Sequence, residues 1–236
     1  MAAKDIFKRI VSKLPETLQL RLKASWYRRQ IRRSDFGAGE PETLILNHFL
    51  RPGDWVVDVG ANIGQYSWQF SNIVGATGRV LAVEPVPETF ALLAAHAQMF
   101  PSQNVSLFNV ALSDRIDTAN MFVPRLETGL RNYYQASLNH HKTEDCSCTV
   151  LMLPFDKFEF LHSIALIKID AEGHDEQVIT GMMTTIKRDK PVLIVEDPTE
   201  STRSALTALG YSHHRLPGSP NTIFTDPSRH KQDCFS

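Results

Sequence analysis

In the segment IKIDAEGHDEQ, four titratable residues lie within three positions of Gly173 in the turn after an apolar run, namely Asp170, Glu172, His174 and Asp175. Carboxylates that lie close together and away from water raise one another's pKa, so that one of them can act as a general base near neutral pH. An imidazole titrates in the same range. The spacing therefore predicts a site of proton abstraction, with Asp170, Glu172 and His174 as candidate catalytic residues. Acids at a helix start also offset the helix dipole, and for Asp175 we expect only that capping role.

A glycine turn in the segment DVGANIGQYS predicts a binding site for a ligand. Gly60 and Gly64 follow an apolar run, an arrangement that lets the backbone approach a ligand closely. A dinucleotide fingerprint has the pattern G-x-G-x-x-G, but here Asn62 replaces the middle glycine and the third glycine is missing. A P-loop also requires Lys-Ser/Thr after the turn, which is absent. The turn is therefore poorly suited to a pyrophosphate.

Polar residues at the ends of the neighbouring apolar runs predict the remaining parts of the ligand. Glu84, which ends AVEP, is placed to accept hydrogen bonds from two ribose hydroxyls. Asn109 and Ala111 in FNVALSD are placed to flank a planar base, and Asp58 to face an ammonium group. A ligand with an amino acid end, a ribose and a base but no phosphate is S-adenosylmethionine. The predicted cofactor-binding residues are Asp58, Gly60, Asn62, Gly64, Glu84, Pro85, Asn109 and Ala111.

These residues must be positioned by a sheet whose strands end at one edge. Short Val/Ile/Leu runs alternate with helical stretches along the chain, a pattern typical of a parallel sheet covered on both faces. In such sheets ligands bind at the carboxyl ends of the strands. The predicted strands are WVVDV, RVLAVEP, VSLFNVAL, IALIKID, PVLIVE and TIF, and the predicted helices are 63–74, PETFALLAAHAQMF, DEQVITGMMTTIKR and TRSALTALG.

The flanking segments differ in composition. Residues 4–33 read as two basic helices separated at Pro15, ETLILNHFL as a further helix, and the polar, turn-rich span 112–152 as an insertion at the edge of the sheet. We therefore divide the chain into a basic helical extension (1–41), one α/β domain (42–226) and a polar tail (227–236).

Composition narrows the class of protein. The 236 residues carry a net charge of −1, but residues 1–34 carry +8 and the remainder −9. Three cysteines are too few for a disulfide framework and fit a reducing cytoplasm. No apolar run is long enough for a membrane span, and the first residues lack the apolar region of a signal peptide. The sequence predicts a cytoplasmic protein.

The motifs in this order resemble the FkbM family of S-adenosylmethionine-dependent methyltransferases. The resemblance covers about residues 43–225 and rests on DWVVDVGANIGQYS, VLAVEPVPETFALLAAH, NVALSD, IALIKIDAEGHDEQVITGM and PVLIVE. It implies an α/β, Rossmann-like class I methyltransferase fold, with a mostly parallel central sheet, helices on both faces and here an N-terminal helical extension. It further implies that Asp58, Gly60, Asn62 and Gly64 hold the methionine part, that Glu84 holds the ribose, and that Asn109 and Ala111 lie beside the adenine.

The resulting hypothesis is an O-methyltransferase that acts on a hydroxyl of a sugar, a glycan or a glycosylated natural product. Nitrogen or carboxyl methylation on the same fold remains an alternative, as does a non-catalytic nucleoside-binding or membrane-surface module. We assign no metal and no nucleic-acid partner. Glu196 is placed either to touch the substrate or to cap a helix. The acceptor pocket is expected between the N-terminal helices and the insertion, with contributions from Arg125, Arg131, Tyr133, Tyr134 and Asn139.

Three explanations compete for the basic N-terminal segment. It could contact an anionic membrane as a peripheral anchor, attract a phosphorylated or nucleotide-linked substrate, or form a solvated face that covers the site or packs between subunits of a homo-oligomer.

Overall fold

The computed structural model describes residues 14–37, 39–124, 132, 136–138 and 146–229. The first predicted helix before Pro15 and the acceptor-pocket residues Arg125, Arg131, Tyr133, Tyr134 and Asn139 lie outside these ranges. The helices of the described residues are α1 (Glu16–Arg32), α2 (Leu46–Phe49), α3 (Gln65–Val74), α4 (Pro87–Ala97), α5 (Asp175–Gly181), α6 (Met183–Asp189) and α7 (Glu200–Ala208). The strands are β1 (Trp55–Val59), β2 (Arg79–Val83), β3 (Val105–Phe108), β4 (Ala111–Leu112), β5 (Asp117–Phe122), β6 (Cys146–Leu153), β7 (Ile164–Ile169), β8 (Val192–Glu196), β9 (Ser212–Arg215) and β10 (Asn221–Thr225).

A seven-stranded sheet with the order β3-β2-β1-β7-β8-β10-β9 forms the centre of the protein. The first five strands in this order are parallel, whereas β10 runs antiparallel to both β8 and β9. The order reverses direction at β1, which lies between β2 and β7. A ligand site is expected at this switch point. The predicted mostly parallel α/β sheet is confirmed.

The alternation of side chains along each strand separates two apolar layers. Val57 and Val59 of β1 lie in one layer with Ile179 of α5 and Leu206 of α7. Val56 lies in the other layer, against the helices α2 and α3 on the opposite face. Because successive residues of a strand point to opposite faces, Asp58 lies on the α3 side with Val56. The same alternation places Lys168 of β7 on that side, since it pairs in register with Asp58.

The predicted continuous strand VSLFNVAL is wrong, because the chain changes sheets in the middle of this segment. β3 ends at Phe108, and β4, which begins at Ala111, belongs to a second sheet with the order β4-β6-β5. At the break, the Asn109 side chain donates hydrogen bonds to the carbonyls of Glu84, at 2.8 Å, and Pro85, at 3.0 Å. These bonds anchor the turn to the end of β2 and direct the following residues away from the central sheet.

The predicted helix DEQVITGMMTTIKR is also divided, into α5 and α6 with Met182 between them. Met182 is fully buried in the core layer, and its backbone φ of −123° leaves the helical region. Close contact of Gly181 with the second sheet accompanies the break, because a Cβ on Gly181 would lie 1.9 Å from the Ser113 carbonyl oxygen.

Smaller differences from the sequence-based predictions occur at three places. The segment ETLILNHFL forms a 3₁₀ turn (Pro41–Leu44) followed by the short α2 rather than one helix. Helix α3 begins at Gln65 and not at residue 63, since Asn62 and Gly64 have positive φ angles. The strand β9, which pairs with the predicted last strand, was not expected.

The second sheet begins and ends next to the central domain. Its first strand β4 pairs with the end of β6, and the Ser113 amide donates to the Leu153 carbonyl at 3.1 Å. Between these points β5 and β6 form an antiparallel pair.

We expect Gly181→Ala to lower the free energy of unfolding by about 1–3 kcal/mol, because the new methyl group must displace the backbone at Ser113. At an ordinary helical position the same change would stabilise the protein by about 0.5–1 kcal/mol. The sign of the change in the free energy of unfolding therefore shows whether Gly181 packs against Ser113. Chemical denaturation provides the measurement. Gly39→Ala is the matched control, since nothing lies within 4 Å of a Cβ there. A Gly181→Ala protein as stable as the wild type would contradict the packing described.

Candidate active site

A cavity of about 250 Å³ opens at the carboxyl ends of β1, β2 and β7. It is lined by the glycine turn, by the acidic segment that follows β7 and by an apolar wall from the second sheet and the residues next to it. The cavity brings together nine of the eleven residues predicted from the sequence, namely Asp58, Gly60, Asn62, Glu84, Pro85, Ala111, Asp170, Glu172 and His174.

Gly60 allows the ends of three strands to meet. Its φ is +72°, and a Cβ at this position would lie 1.9 Å from the carbonyl oxygen of Asp170 at the end of β7. Its amide and that of Ala61 donate to the Val83 carbonyl of β2 at 3.0 and 2.9 Å. Any other residue would separate β1 from β7, because the obstacle is backbone and cannot rotate away.

Glu84 forms the link between the glycine turn and the next strand. Its carboxylate accepts the Asn62 amide at 2.7 Å, the Val86 amide at 2.9 Å and the Thr89 hydroxyl at 2.8 Å. Burial raises the pKa of this carboxyl to about 7, although the three hydrogen bonds oppose the shift. A carboxylate held in this way is pre-oriented, and its remaining lone pairs can accept further donors from the cavity.

Asp58 lies deeper, at the floor of the cavity. The Ser67 hydroxyl of α3 donates to its carboxylate at 2.5 Å. Burial raises the pKa of Asp58 to about 6, while the Ser67 bond and the nearby Lys168 ammonium act in the opposite direction.

Lys168 was missed by the sequence analysis. It is only 2% exposed, yet its ammonium lines the cavity, 3.4 Å from a carboxylate oxygen of Asp170 and 5.2 Å from the centre of the Tyr66 ring. A signal was available, because a lysine inside the apolar run IALIKI is unexpected unless a buried acid accompanies it. The ammonium faces the carboxylates of this end of the sheet and limits the rise of their pKa values.

Asp170 and Glu196 form a carboxyl pair across the ends of β7 and β8. Burial, together with the hydrogen bond to Asp170 and its charge, raises the pKa of Glu196 to about 8. The pair therefore shares one proton at neutral pH, and the Lys168 ammonium lies 3.4 Å from the Asp170 carboxylate.

Glu172 differs from these two acids. Its backbone has φ +48° in the turn after β7, and burial followed by the charges of Asp170 and Asp175 raises its pKa to about 7. A carboxyl with a pKa of about 7 is suited to act as a general base near neutral pH.

His174 connects the acidic turn to the second sheet. Its Nε2 lies 3.0 Å from the Ser113 hydroxyl oxygen, and burial lowers the pKa of the imidazole. A second connection is made by the Ser137 hydroxyl, which donates to the Glu172 carbonyl at 3.0 Å. Residues next to the strands of the second sheet thus hold the turn that carries Glu172 and His174.

Two predicted cofactor residues do not line the cavity. Gly64, with φ +93°, packs against Leu93 at the start of α3, and Asn109 supports the loop after β2 as described above. Asp175, expected to cap a helix, accepts the Ala171 amide at 3.1 Å and so stabilises the turn before α5.

Comparison with known proteins identifies the family. The family model described as the Methyltransferase FkbM domain matches residues 58–213. The chain belongs to the FkbM methyltransferase family. Its seven-stranded sheet is that of the class I methyltransferases that bind S-adenosylmethionine.

A solved structure of an FkbM methyltransferase shows the same fold. The FkbM methyltransferase from Methylobacillus flagellatus KT superposes with a TM-score of 0.53 at 15% identity, over 73% of this chain and 43% of that chain. The chain thus spans less than half the length of that protein. Fibrillarin from Aeropyrum pernix, solved with natively bound S-adenosyl-L-methionine, gives a TM-score of 0.48 at 12% identity, over 80% and 75% of the two chains. At these identities the likeness concerns the fold alone. A comparison with curated proteins finds no match.

We expect the Glu196 carboxyl to make stability depend on pH. Its pKa rises from an ordinary value of 4.5 to about 8 on folding, so its contribution to stability is fully present below pH 4.5 and is lost as the pH rises through 8. Glu196→Gln keeps a donor for Asp170 but cannot ionise. Thermal unfolding from pH 5 to 9 should show the variant equal to wild type at low pH and more stable at pH 9 by about 1 kcal/mol, a value reduced for solvent screening of a half-exposed group.

The exposed Glu159→Gln serves as the control and should follow the wild-type curve at every pH. Parallel curves for wild type and Glu196→Gln would show that the carboxyl pair does not share a proton.

Proposed function

We propose that the protein is an S-adenosylmethionine-dependent O-methyltransferase whose acceptor is a hydroxyl of a sugar, a glycan or a glycosylated small molecule. The observation that carries this proposal is the position of Glu172. This carboxyl, with a pKa of about 7, shares one cavity with the glycine turn and Glu84. A cofactor site and a base suited to neutral pH therefore open into the same space.

The methyl donor is S-adenosylmethionine, and the residues of the cavity fit it. We assign the methionine part to Asp58, Gly60 and Asn62, because a cationic amino group is attracted to the buried carboxylate of Asp58 and the glycine leaves room for close approach. The ribose hydroxyls are assigned to Glu84, whose carboxylate is already oriented by three hydrogen bonds. Pro85 and Ala111 flank the adenine, while Gly64 and Asn109 act by shaping the turn and the loop.

When bound, the cofactor supplies an electrophilic methyl group on a sulfonium. The residues of the protein have two tasks, to align the acceptor oxygen with that methyl group and to remove its proton. Alignment supplies about 7–11 kcal/mol of the barrier in favourable cases, and a positioned base contributes about 10²–10⁴-fold in rate. We assign the base to Glu172. Asp170, which contacts Lys168 and is hydrogen-bonded to Glu196, accepts a hydrogen bond from the acceptor, and His174 orients the turn through Ser113.

The electrostatics of the cavity favour a neutral hydroxylated acceptor. Six acidic residues line the cavity (Glu40, Asp58, Glu84, Asp170, Glu172 and Glu196) with a single described ammonium, that of Lys168, so a carboxylate acceptor would be repelled. A polyol donates hydrogen bonds to carboxylates without this penalty. The apolar wall made by Met121, Ala136 and Leu138 is suited to the non-polar face of a sugar ring.

Replacing Glu84 should weaken cofactor binding without abolishing the fold. Loss of hydrogen bonds to a charged group predicts a decrease in affinity of about 10–100-fold for Glu84→Ala and a smaller decrease for Glu84→Gln, measured by calorimetry with S-adenosylmethionine. Glu200→Gln, on the exposed start of α7, is the control and should bind like the wild type. Circular dichroism tests that each variant is folded. Unchanged affinity in both Glu84 variants would refute the assignment, and binding of NAD in place of S-adenosylmethionine would refute the methyltransferase itself.

Glu172→Gln should lower turnover by about 10²–10⁴-fold and leave cofactor affinity nearly unchanged, because the amide cannot accept the proton. The wild-type rate should increase with pH and level off above an apparent pKa near 7, the pH at which Glu172 becomes ionised.

The acceptor is sought by mass spectrometry with isotope-labelled cofactor and a panel of sugars, glycosides, amines and carboxylic acids.

The expected product carries one additional methyl group on a hydroxyl oxygen. Methylation of a nitrogen or a carboxylate would overturn the choice of acceptor, and a Glu172→Gln protein as active as the wild type would overturn the choice of base.

A further inference from the structure

Helix α1 has two different apolar faces. Its inner face, which includes Tyr27 and Ile31, packs against α4 together with Phe36. On the opposite side Leu18, Leu22 and Trp26 are 40%, 43% and 62% exposed. These three residues are spaced four apart and therefore follow one side of the helix as a continuous stripe. The inner face alone is sufficient to attach α1 to the domain, so the outer stripe has no packing role among the described residues.

Only basic charges accompany this stripe. Arg29 and Arg33 lie at its C-terminal end, and a 3.6-residue period places Arg21, Arg28 and Arg32 along one of its edges. All five arginines are exposed, and no acid lies between Leu18 and Ser34. The long aliphatic part of an arginine can lie along an apolar phase while its guanidinium remains at the polar boundary.

We propose that the outer face of α1, defined by Leu18, Leu22, Trp26 and these five arginines, docks the protein onto an anionic membrane surface. An exposed apolar stripe with a tryptophan and flanking arginines is the composition of a helix that lies in the plane of a bilayer interface. Each basic residue near a surface of acidic lipid contributes about 1 kcal/mol of attraction. The tryptophan ring is suited to the headgroup level.

Charge complementarity favours a membrane over an acidic protein or an RNA. The stripe is apolar along its length and has no second aromatic residue, whereas proteins that bind single-stranded RNA combine a basic groove with several aromatic residues on which bases stack. The rest of the chain, residues 35–236, carries −9 and is repelled by acidic lipid. Residues 1–34, which carry +8, are attracted to the same lipid. The opposite charges of the two parts therefore also orient the protein, with α1 towards the bilayer.

This orientation would place the catalytic cavity near the membrane. The chain continues from α1 through the buried Phe36 to Gly37 and Glu40, which line the cavity. An acceptor attached to a lipid would thus be presented on the side from which α1 approaches. The docking itself does not depend on the methyl-transfer assignment.

Inside the described ranges every helix is too short or too polar to traverse a bilayer, so the contact that we propose is peripheral.

The test is flotation of the full chain with two kinds of vesicle, one of phosphatidylcholine alone and one with about a third phosphatidylglycerol. We expect binding to the anionic vesicles alone, decreasing steeply as salt is added. We also expect a blue shift of Trp26 fluorescence on binding, isolated from the other tryptophans by comparison with Trp26→Phe. No binding to anionic vesicles at low salt, or equal binding to both kinds, would overturn the proposal.

Variants separate the proposed face from general charge effects. Arg28→Glu with Arg32→Glu should reduce partition onto anionic vesicles by at least about 10-fold, because both changes reverse a charge at the surface. Leu22→Ser should reduce it by several-fold through loss of apolar contact. Lys187→Glu and Leu161→Ser, at exposed positions on other elements, are matched controls and should bind like the wild type.

All four variants should retain the wild-type affinity for S-adenosylmethionine, which distinguishes failure of docking from failure of the proposed function. Equal vesicle binding by the α1 variants and the controls would refute the proposed surface. Binding of an RNA or an acidic protein through these arginines without vesicle binding would replace the membrane as the partner.

Discussion

The arrangement of the cavity depends on the contact between Gly60 and the backbone of Asp170. With no side chain at residue 60, the ends of β1 and β7 approach until the Asp170 carbonyl occupies the space of a Cβ. The same turn is bonded to Val83 of β2 and to the Glu84 carboxylate. One glycine thus fixes the distance between the glycine turn and the acidic turn. Since misplacement of reacting groups by about 1 Å can cost a factor of 10² in rate, this distance is a functional quantity as well as a packing detail.

The buried charges at this end of the sheet are costly for stability and useful for chemistry. An isolated buried charge is strongly destabilising, but Lys168 lies beside Asp58 and Asp170, and Asp170 in turn is hydrogen-bonded to Glu196. This arrangement divides the acids into two kinds. Asp170 contacts both Lys168 and Glu196, whereas Glu172, in a turn with positive φ, has no comparable hydrogen-bond partner among the described side chains, and burial raises its pKa to about 7.

The central sheet could be predicted well from the sequence because each of its parallel strands corresponds to a local pattern of residues. Each parallel strand is a short apolar run, and the polar residues that follow these runs meet at one edge for geometric reasons. The proximity of Glu84 to the glycine turn could be predicted in this way. The role of each site residue stays a prediction, since geometry places a side chain but does not test what it does.

Other features depend on contacts between segments that are distant in the sequence. The local pattern of residues therefore gives little indication of them. The break at Met182 accompanies the packing of Gly181 on Ser113, and the departure of the chain after Phe108 follows from the hydrogen bonds of Asn109 to another strand. Neither interaction changes the apolar periodicity on which helix and strand predictions rest. The strand β9 was missed because its sequence, SHHR, is polar, as expected at an edge with one exposed face.

The bond between the Ser113 amide and the Leu153 carbonyl closes the segment 114–152 at its base. A segment whose two ends already lie side by side can be lengthened, shortened or exchanged at little entropic cost, about 0.6 kcal/mol for each doubling of its length. Ser113, which precedes this segment, and Ser137, which lies within it, contact the acidic turn, but the glycine turn and Glu84 belong to the central sheet. This segment can therefore be exchanged as a unit, while the glycine turn and the acidic turn, which follow strands of the central sheet, keep their positions.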